Sequence, residues 1–282
     1  MSLSPEVLRR VVAAALEEDL GGPGDITSDC VVADDASAVG HIVARQDLVL
    51  AGLPVAQEVY RALDPALEFA GLHEDGERVS CGSRVARVCG NARSVLRGER
   101  TALNILMRMC GIATAARSAV EEIEGTRARI LDTRKTGPGL RMLDKYAVAA
   151  GGALNHRLGL YDAVMIKDTH LQIVPSIGVA VRRALERGHP AAIVTVEVRD
   201  LDQLREAIDA GAGRALLDNM DPETTAEAVR LADGRIVLEA SGGLRPGNLR
   251  RVAQTGVDYL SLGWLTHSAP AADLAMELEG SS

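Results

Sequence analysis

The chain has 282 residues, a formal net charge of −8, 47% apolar and 25% charged residues, which suits a folded protein with a sizeable core and excludes a disordered one. Six aromatic residues and an acidic balance supply neither stacking platforms nor a broad positive surface, so no nucleic-acid partner is expected. No apolar run approaches the ~18 residues of a membrane span, so no membrane partner is expected; four cysteines without CxxC spacing suggest free thiols and a cytoplasmic location.

Ser4 followed by Pro5 predicts a surface helix over 4–20, and the VVAAAL run after Arg9 and Arg10 is too short for a signal peptide. Alternating segments around 41–52, a helix near 54–63 and a turn at 73–82 follow. Leu96, Leu103, Leu106 and Met107 lie at helical spacing within 94–109. Together these predict a smaller α+β domain ending in a connecting helix.

From about residue 125 short Val/Ile/Leu-rich runs alternate with helical stretches: ARILD (128–132), DAVMIK (162–167), IVTVEV (193–198), RALLD (214–218), RIVLEA (235–240) and VDYLSLG (257–263). Continuous runs of this kind suit parallel strands covered on both faces. Asp200, Asp221-Pro222 and Pro246 mark the starts of helices between them. Glu197, Asp218 and Glu239 recur every 21 residues, one βα unit per step, each at or near a strand end. Repeated βα units predict an α/β barrel or a doubly wound sheet, and in a barrel the polar strand ends share one face.

Only three of the 31 cationic residues are lysines, Lys135, Lys145 and Lys167, and all fall near the densest chemical signal. DTRKTGPG (132–139) delivers Arg134 and Lys135 into a turn, NHRLG (155–159) adds His156 and Arg157, and IKDTH (166–170) adds Lys167. Residues 127–170 carry eight Lys/Arg against four Asp, an island suited to a substrate with several negative charges. Lys145, on a predicted helix, is expected to play a structural or supporting part. Glu197 and Asp218 form an acidic counterpart, fit to hold Mg²⁺ through substrate phosphates or to contact sugar hydroxyls; pairing with nearby Arg or Lys is the competing reading. Ser241, Gly242 and Gly243, ahead of a helix expected near Pro246, and Gly263 in the following unit suggest phosphate-binding loops.

These segments, with GDITS, RGERTALN, KYAV, GGALNHRLGL, LLDN, EASGGL and GVDYLSLGWLTH, resemble the quinolinate phosphoribosyltransferase family over nearly the whole chain. The resemblance implies an N-terminal α/β sandwich domain (1–112), with 268–282 packing back on it, and an incomplete, TIM-like α/β barrel (113–267). It implies phosphoribosyl transfer from phosphoribosyl pyrophosphate to quinolinate with decarboxylation, Mg²⁺ as cofactor, and a homodimer or higher oligomer in which Arg100 reaches the neighbouring subunit's site. It places Thr133, Arg134, Lys135, His156, Arg157 and Lys167 around carboxylates and phosphates. Glu197 and Asp218 fall near ribose and metal, and Ser241, Gly242, Gly243, Leu262, Gly263 and Trp264 at the phosphate loops; Lys135, Glu197 and Asp218 carry the chemistry. Two positions depart from the family pattern, Thr169 in KDTH and Cys110 in CGIAT. A related protein of molybdenum-transport systems, with a different substrate, and a non-catalytic phosphate-ligand binder are the alternative readings.

Overall fold

The computed structural model describes residues 2–279. Its elements are α1 (Pro5–Leu20), α2 (Ile26–Val31), β1 (Ser37–Ala44), β2 (Leu48–Val49), α3 (Leu53–Leu63), β3 (Glu68–Gly71), β4 (Arg78–Val79), β5 (Arg84–Asn91) and α4 (Ala92–Glu122). There follow β6 (Arg129–Leu131), α5 (Arg141–Ala150), β7 (Val164–Ile166), α6 (Asp168–Leu171), α7 (Ile177–Glu186), β8 (Val194–Val198), α8 (Leu201–Asp209) and β9 (Arg214–Asp218). The chain closes with α9 (Pro222–Ala232), β10 (Val237–Ser241), α10 (Leu249–Ala253), β11 (Tyr259–Ser261), α11 (Trp264–His267) and β12 (Leu274–Leu278).

The chain forms two compact units, Met1–Arg117 with Thr136–Gly152 and Leu265–Ser282, and Ser118–Lys135 with Ala153–Trp264. This partition is not one cut near residue 112. Segment 136–152 groups with the first unit, where buried Asp144 of α5 pairs with Arg108 of α4. β12 also lies there, antiparallel to β1 from Ala44 opposite Leu274 to Gly40 opposite Leu278; residues 280–282 of the C-terminal segment are outside the described residues.

In the first unit a four-stranded antiparallel sheet has the order β12-β1-β5-β3. Ser4 caps α1 by accepting the Val7 N–H, with Pro5 in the first turn, as its sequence predicts. α3 buries Val55, Ala56, Val59 and Tyr60, and the Tyr60 ring stacks on Phe69 with centroids 5.8 Å apart. α4 is longer than the predicted 94–109 stretch. Its second half buries the small residues Ala113, Ala116 and Ala119, and Gly111 lets the Pro270 carbonyl approach where a Cβ would collide. Small residues seal that face without the large side chains by which helical periodicity is recognised.

The second unit is a six-stranded parallel sheet in the order β6-β11-β10-β9-β8-β7, flanked by helices, an incomplete TIM-like barrel. Asp200 and Asp221 cap α8 and α9 as predicted. Register divides the strands into two faces. Ile166, Val196, Ala215 and Leu238 lie in one row, and Val198, Leu217, Ala240, Leu260 and Ile130 in the next but one; all are buried and apolar. The rows between alternate to the opposite face.

Candidate active site

That opposite face is where the strands carry charge. Glu197, Leu216, Glu239 and Tyr259 share one row, and Asp218, Ser241 and Ser261 share the row two residues further toward the strand C-termini. Period-two alternation therefore brings Glu197, Asp218 and Glu239, 21 residues apart in the chain, to a common face.

Glu239 is fully buried, with Oε2 3.3 Å from His156 Nε2 and 3.2 Å from Arg214 Nη1. Burial pushes its carboxyl pKa up, but His156, the Ser261 hydroxyl and the Arg214 charge outweigh that effect and hold it below the usual value. His156 is oriented from two further sides. Its backbone N–H donates to Asp132 Oδ1 at 2.7 Å, and its Nδ1 accepts the Arg157 N–H at 2.7 Å, which leaves the Nε2 proton directed at Glu239. Asp132, itself fully buried at the end of β6, also accepts from Asn155 Nδ2 at 2.9 Å. Arg214 reaches over the Tyr259 ring, 4.7 Å from its centroid.

The cations gather around this core. Arg157 is half-buried and donates to the Ala163 carbonyl at 3.0 Å; burial, and then the neighbouring Arg134 charge, depress its pKa. Two guanidiniums brought together this way favour an anion with more than one negative oxygen. Lys135 is exposed just beyond β6, its N–H donating to Thr133 Oγ1 at 3.1 Å, so Thr133 shapes the turn that presents it. Lys167 Nζ lies 3.5 Å from Glu197 Oε2, and Arg199 Nε 3.8 Å from Asp218 Oδ2. Both readings of the acidic pair thus hold in part: each carboxylate has a cation nearby, yet the separations are loose and the side chains retain 13% and 25% of their exposure. Arg199 bonds more closely to Asp168 Oδ2, at 2.6 Å, and these two border a cleft with Leu171, Gln172, Glu197 and Gln203.

The glycine loops need one correction. α10 begins at Leu249, not near Pro246, and spans five residues. Pro246 sits in the preceding turn, where Gly247 takes φ +92°. The amides of Gly247 and Leu249 already donate to the Glu122 carboxylate at 3.0 and 2.8 Å, so this helix start presents no free cradle. The loop before it has a different character. Gly242 (φ +90°) and Gly243 (φ +64°) follow Ser241 directly; a Cβ on Gly242 would strike the Asn219 side chain, whereas Gly243 faces open space. The Ser241 carbonyl accepts the Asn219 N–H at 2.8 Å, tying this loop to the end of β9. Leu262 is buried, its N–H bonded to the Leu131 carbonyl at 2.9 Å, and sets Gly263 beside the end of β6. The indole N–H of Trp264 is buried and has no hydrogen-bond partner among the described residues.

Arg100 is exposed on α4 in the first unit, outside this constellation. Lys145 is completely buried on α5. Of the two departures, Thr169 is exposed on α6, while Cys110 is buried, exchanges hydrogen bonds with Ala51 and has its thiol pKa pushed up to about 12 by burial. Sequence reasoning missed Asp132, Arg199 and Arg214, and Glu239 was visible only through its spacing. Among the described residues no group of three or more His, Cys, Asp or Glu is arranged to hold a metal by itself.

Models of the N-terminal and C-terminal domains of quinolinate phosphoribosyl transferase match residues 25–110 and 112–277. A Bacillus subtilis protein named "Probable nicotinate-nucleotide pyrophosphorylase (carboxylating)" is 40% identical over 96% of this chain and 93% of its own. A mitochondrial quinolinate phosphoribosyltransferase (decarboxylating) of Nicotiana tabacum is 37% identical over 96% of this chain and 82% of its own. The solved nicotinate-nucleotide pyrophosphorylase of Francisella tularensis superposes with a TM-score of 0.93 at 36% identity, covering 99% of this chain and 98% of that one. The Pyrococcus furiosus structure of the same name, 18% identical with a TM-score of 0.69, shares the fold.

Proposed function

Because the chain belongs to the quinolinate phosphoribosyltransferase family, we propose that it transfers phosphoribose from phosphoribosyl pyrophosphate to quinolinate, releasing pyrophosphate and CO₂ and forming nicotinate mononucleotide. The observation that carries this reading is the pairing of Arg134 and Arg157 beside the His156–Glu239 core, a cationic recess for a planar dicarboxylate, with Glu197 and Asp218 at adjacent strand ends.

In this reading Arg134, Lys135, His156, Arg157 and Lys167 hold the substrate carboxylates and phosphates, and Glu239 fixes the imidazole that faces them. The bond from the pyridine nitrogen to the anomeric carbon forms as the bond to pyrophosphate breaks, its electron pair leaving with the pyrophosphate. The ring carbon that loses CO₂ keeps the electron pair of that bond and takes up a proton. Because the leaving group is already good, positioning and charge stabilisation are the main work of these side chains. Glu197 and Asp218 fit Mg²⁺: each keeps open oxygen positions, and two carboxylates with substrate phosphates make the incomplete, partly hydrated shell this ion prefers. When bound, Mg²⁺ neutralises part of the pyrophosphate charge. Ser241, Gly242, Gly243 and Gly263 offer backbone groups to the phosphate of the ribosyl moiety.

A homodimer with Arg100 acting in the partner's site belongs to the same proposal, supported by the exposure of Arg100 and of Leu160, Tyr161 and Ile173. So does a cytoplasmic location, supported by four free cysteines. The test is incubation with quinolinate, phosphoribosyl pyrophosphate and Mg²⁺. Nicotinate mononucleotide and CO₂ are expected, and product formed only from nicotinate or nicotinamide refutes the assignment. Mixing inactive Arg100→Ala and Lys135→Ala proteins should regain activity if Arg100 acts across subunits; no recovery after exchange refutes that arrangement.

A further inference from the structure

One buried ion pair in the first unit touches none of the groups described above, yet it fastens backbone next to two of them. Arg108 on α4 forks onto Asp144 of α5, Nε to Oδ1 at 2.8 Å and Nη2 to Oδ2 at 2.7 Å. Asp144 is fully buried, and its Oδ2 also accepts the Gly137 N–H at 2.9 Å. Arg108 Nη2 makes a further bond to the Thr266 carbonyl at 3.2 Å. Gly137 lies two residues after Lys135 and Thr266 three after Gly263, so a single pair pins the chain as it leaves both segments.

The surroundings are built for this contact. A Cβ on Gly137 would stand 3.0 Å from Arg108 Nη2, and Thr136 Oγ1 accepts from Arg141 Nε at 3.1 Å, fixing the residue between Lys135 and Gly137. Stability is a poor explanation, since a buried ion pair roughly breaks even against apolar residues of the same shape. What apolar residues cannot supply is an acceptor for the Gly137 amide and a donor for the Thr266 carbonyl.

We propose that Arg108 and Asp144 are positioning residues that hold the Thr136–Gly139 turn, and through it Lys135, in the conformation that meets the substrate. The inference rests on the function proposed above. Its test uses the full chain with Arg108→Met and Asp144→Leu combined. Amide exchange in peptides covering 132–140 should quicken about tenfold or more, while the melting temperature stays within roughly 3 °C of the parent. The ratio kcat/KM for quinolinate should fall on the order of 100-fold, the scale of a displacement of about 1 Å. A structural role alone would leave the cost of Lys135→Ala unchanged. Here Lys135→Ala, severe in the parent, should cost less than about tenfold more in the double variant, because the ammonium is already out of place.

Gly137→Ala keeps both charges and wedges the turn from Arg108, so it should reproduce the exchange and kinetic effects if the double variant does not fold. Unchanged exchange over 132–140, or full additivity with Lys135→Ala, overturns the proposal. If the parent protein makes no nicotinate mononucleotide, the function reading fails, and the exchange measurement still decides whether the pair orders the turn.

Discussion

Replacing Glu239 by Gln keeps the side chain's shape and removes its charge from a fully buried position between Arg214 and His156. At 3.2 Å and an effective dielectric constant of about 20, the Glu239–Arg214 attraction is worth about 5 kcal/mol before desolvation. Removing one partner of a buried pair costs about 3–5 kcal/mol. Arg214 keeps 24% side-chain exposure and can rest on Tyr259, so we expect the lower end, about 2–3 kcal/mol. In a chain of this size that is a fall in melting temperature of roughly 5–10 °C near pH 7.5. The sign of the pH dependence is fixed because the folded-state pKa of Glu239 is depressed: its contribution is complete above the ordinary carboxylate range and disappears as pH falls through the folded value. Thermal denaturation of parent and Glu239→Gln proteins between about pH 7.5 and pH 3.5 should therefore show a gap that narrows on acidification. An equal melting temperature at neutral pH, or a gap constant across the range, refutes the reasoning.

Lys135→Ala should lower turnover by at least about 100-fold with an unchanged far-ultraviolet spectrum, since the exposed ammonium packs into no core; near-normal turnover removes its assigned role. Gly242→Ala should cost about 1–2 kcal/mol in urea denaturation, because φ of +90° and the Asn219 side chain both oppose a Cβ, and should raise KM for phosphoribosyl pyrophosphate more than for quinolinate. Cys110 should resist thiol reagents at about pH 8 in the native protein while the exposed Cys30 and Cys81 react; rapid native modification of Cys110 contradicts a thiol pKa of about 12.

The second unit was largely legible in sequence because a parallel strand covered on both sides is a continuous apolar run, and all six runs became strands. The cationic turn and the acidic strand ends were legible for the same reason: a polar residue ending such a run stands out. What stayed hidden depends on contacts between distant positions. Arg108 and Asp144 lie 36 residues apart, and Glu122 and Gly247 125 apart, so neither pairing leaves a local pattern. Asp132 reads as an ordinary strand terminus until the chain returns at His156 to meet it. The start of α10 was misplaced because Pro opens turns as readily as helices, and Gly247 with positive φ selects the turn.

The Glu122 carboxylate against the Gly247 and Leu249 amides also bears on how the protein lives with inorganic phosphate. Backbone amides in such a place attract any small anion. A covalently attached anion cannot be diluted or washed away, and its advantage over a free competitor does not depend on concentration. Millimolar orthophosphate or sulfate in the medium therefore meets a position that is permanently taken, and adventitious occupancy next to the Gly242–Gly243 loop is suppressed without any change in that loop's own affinity.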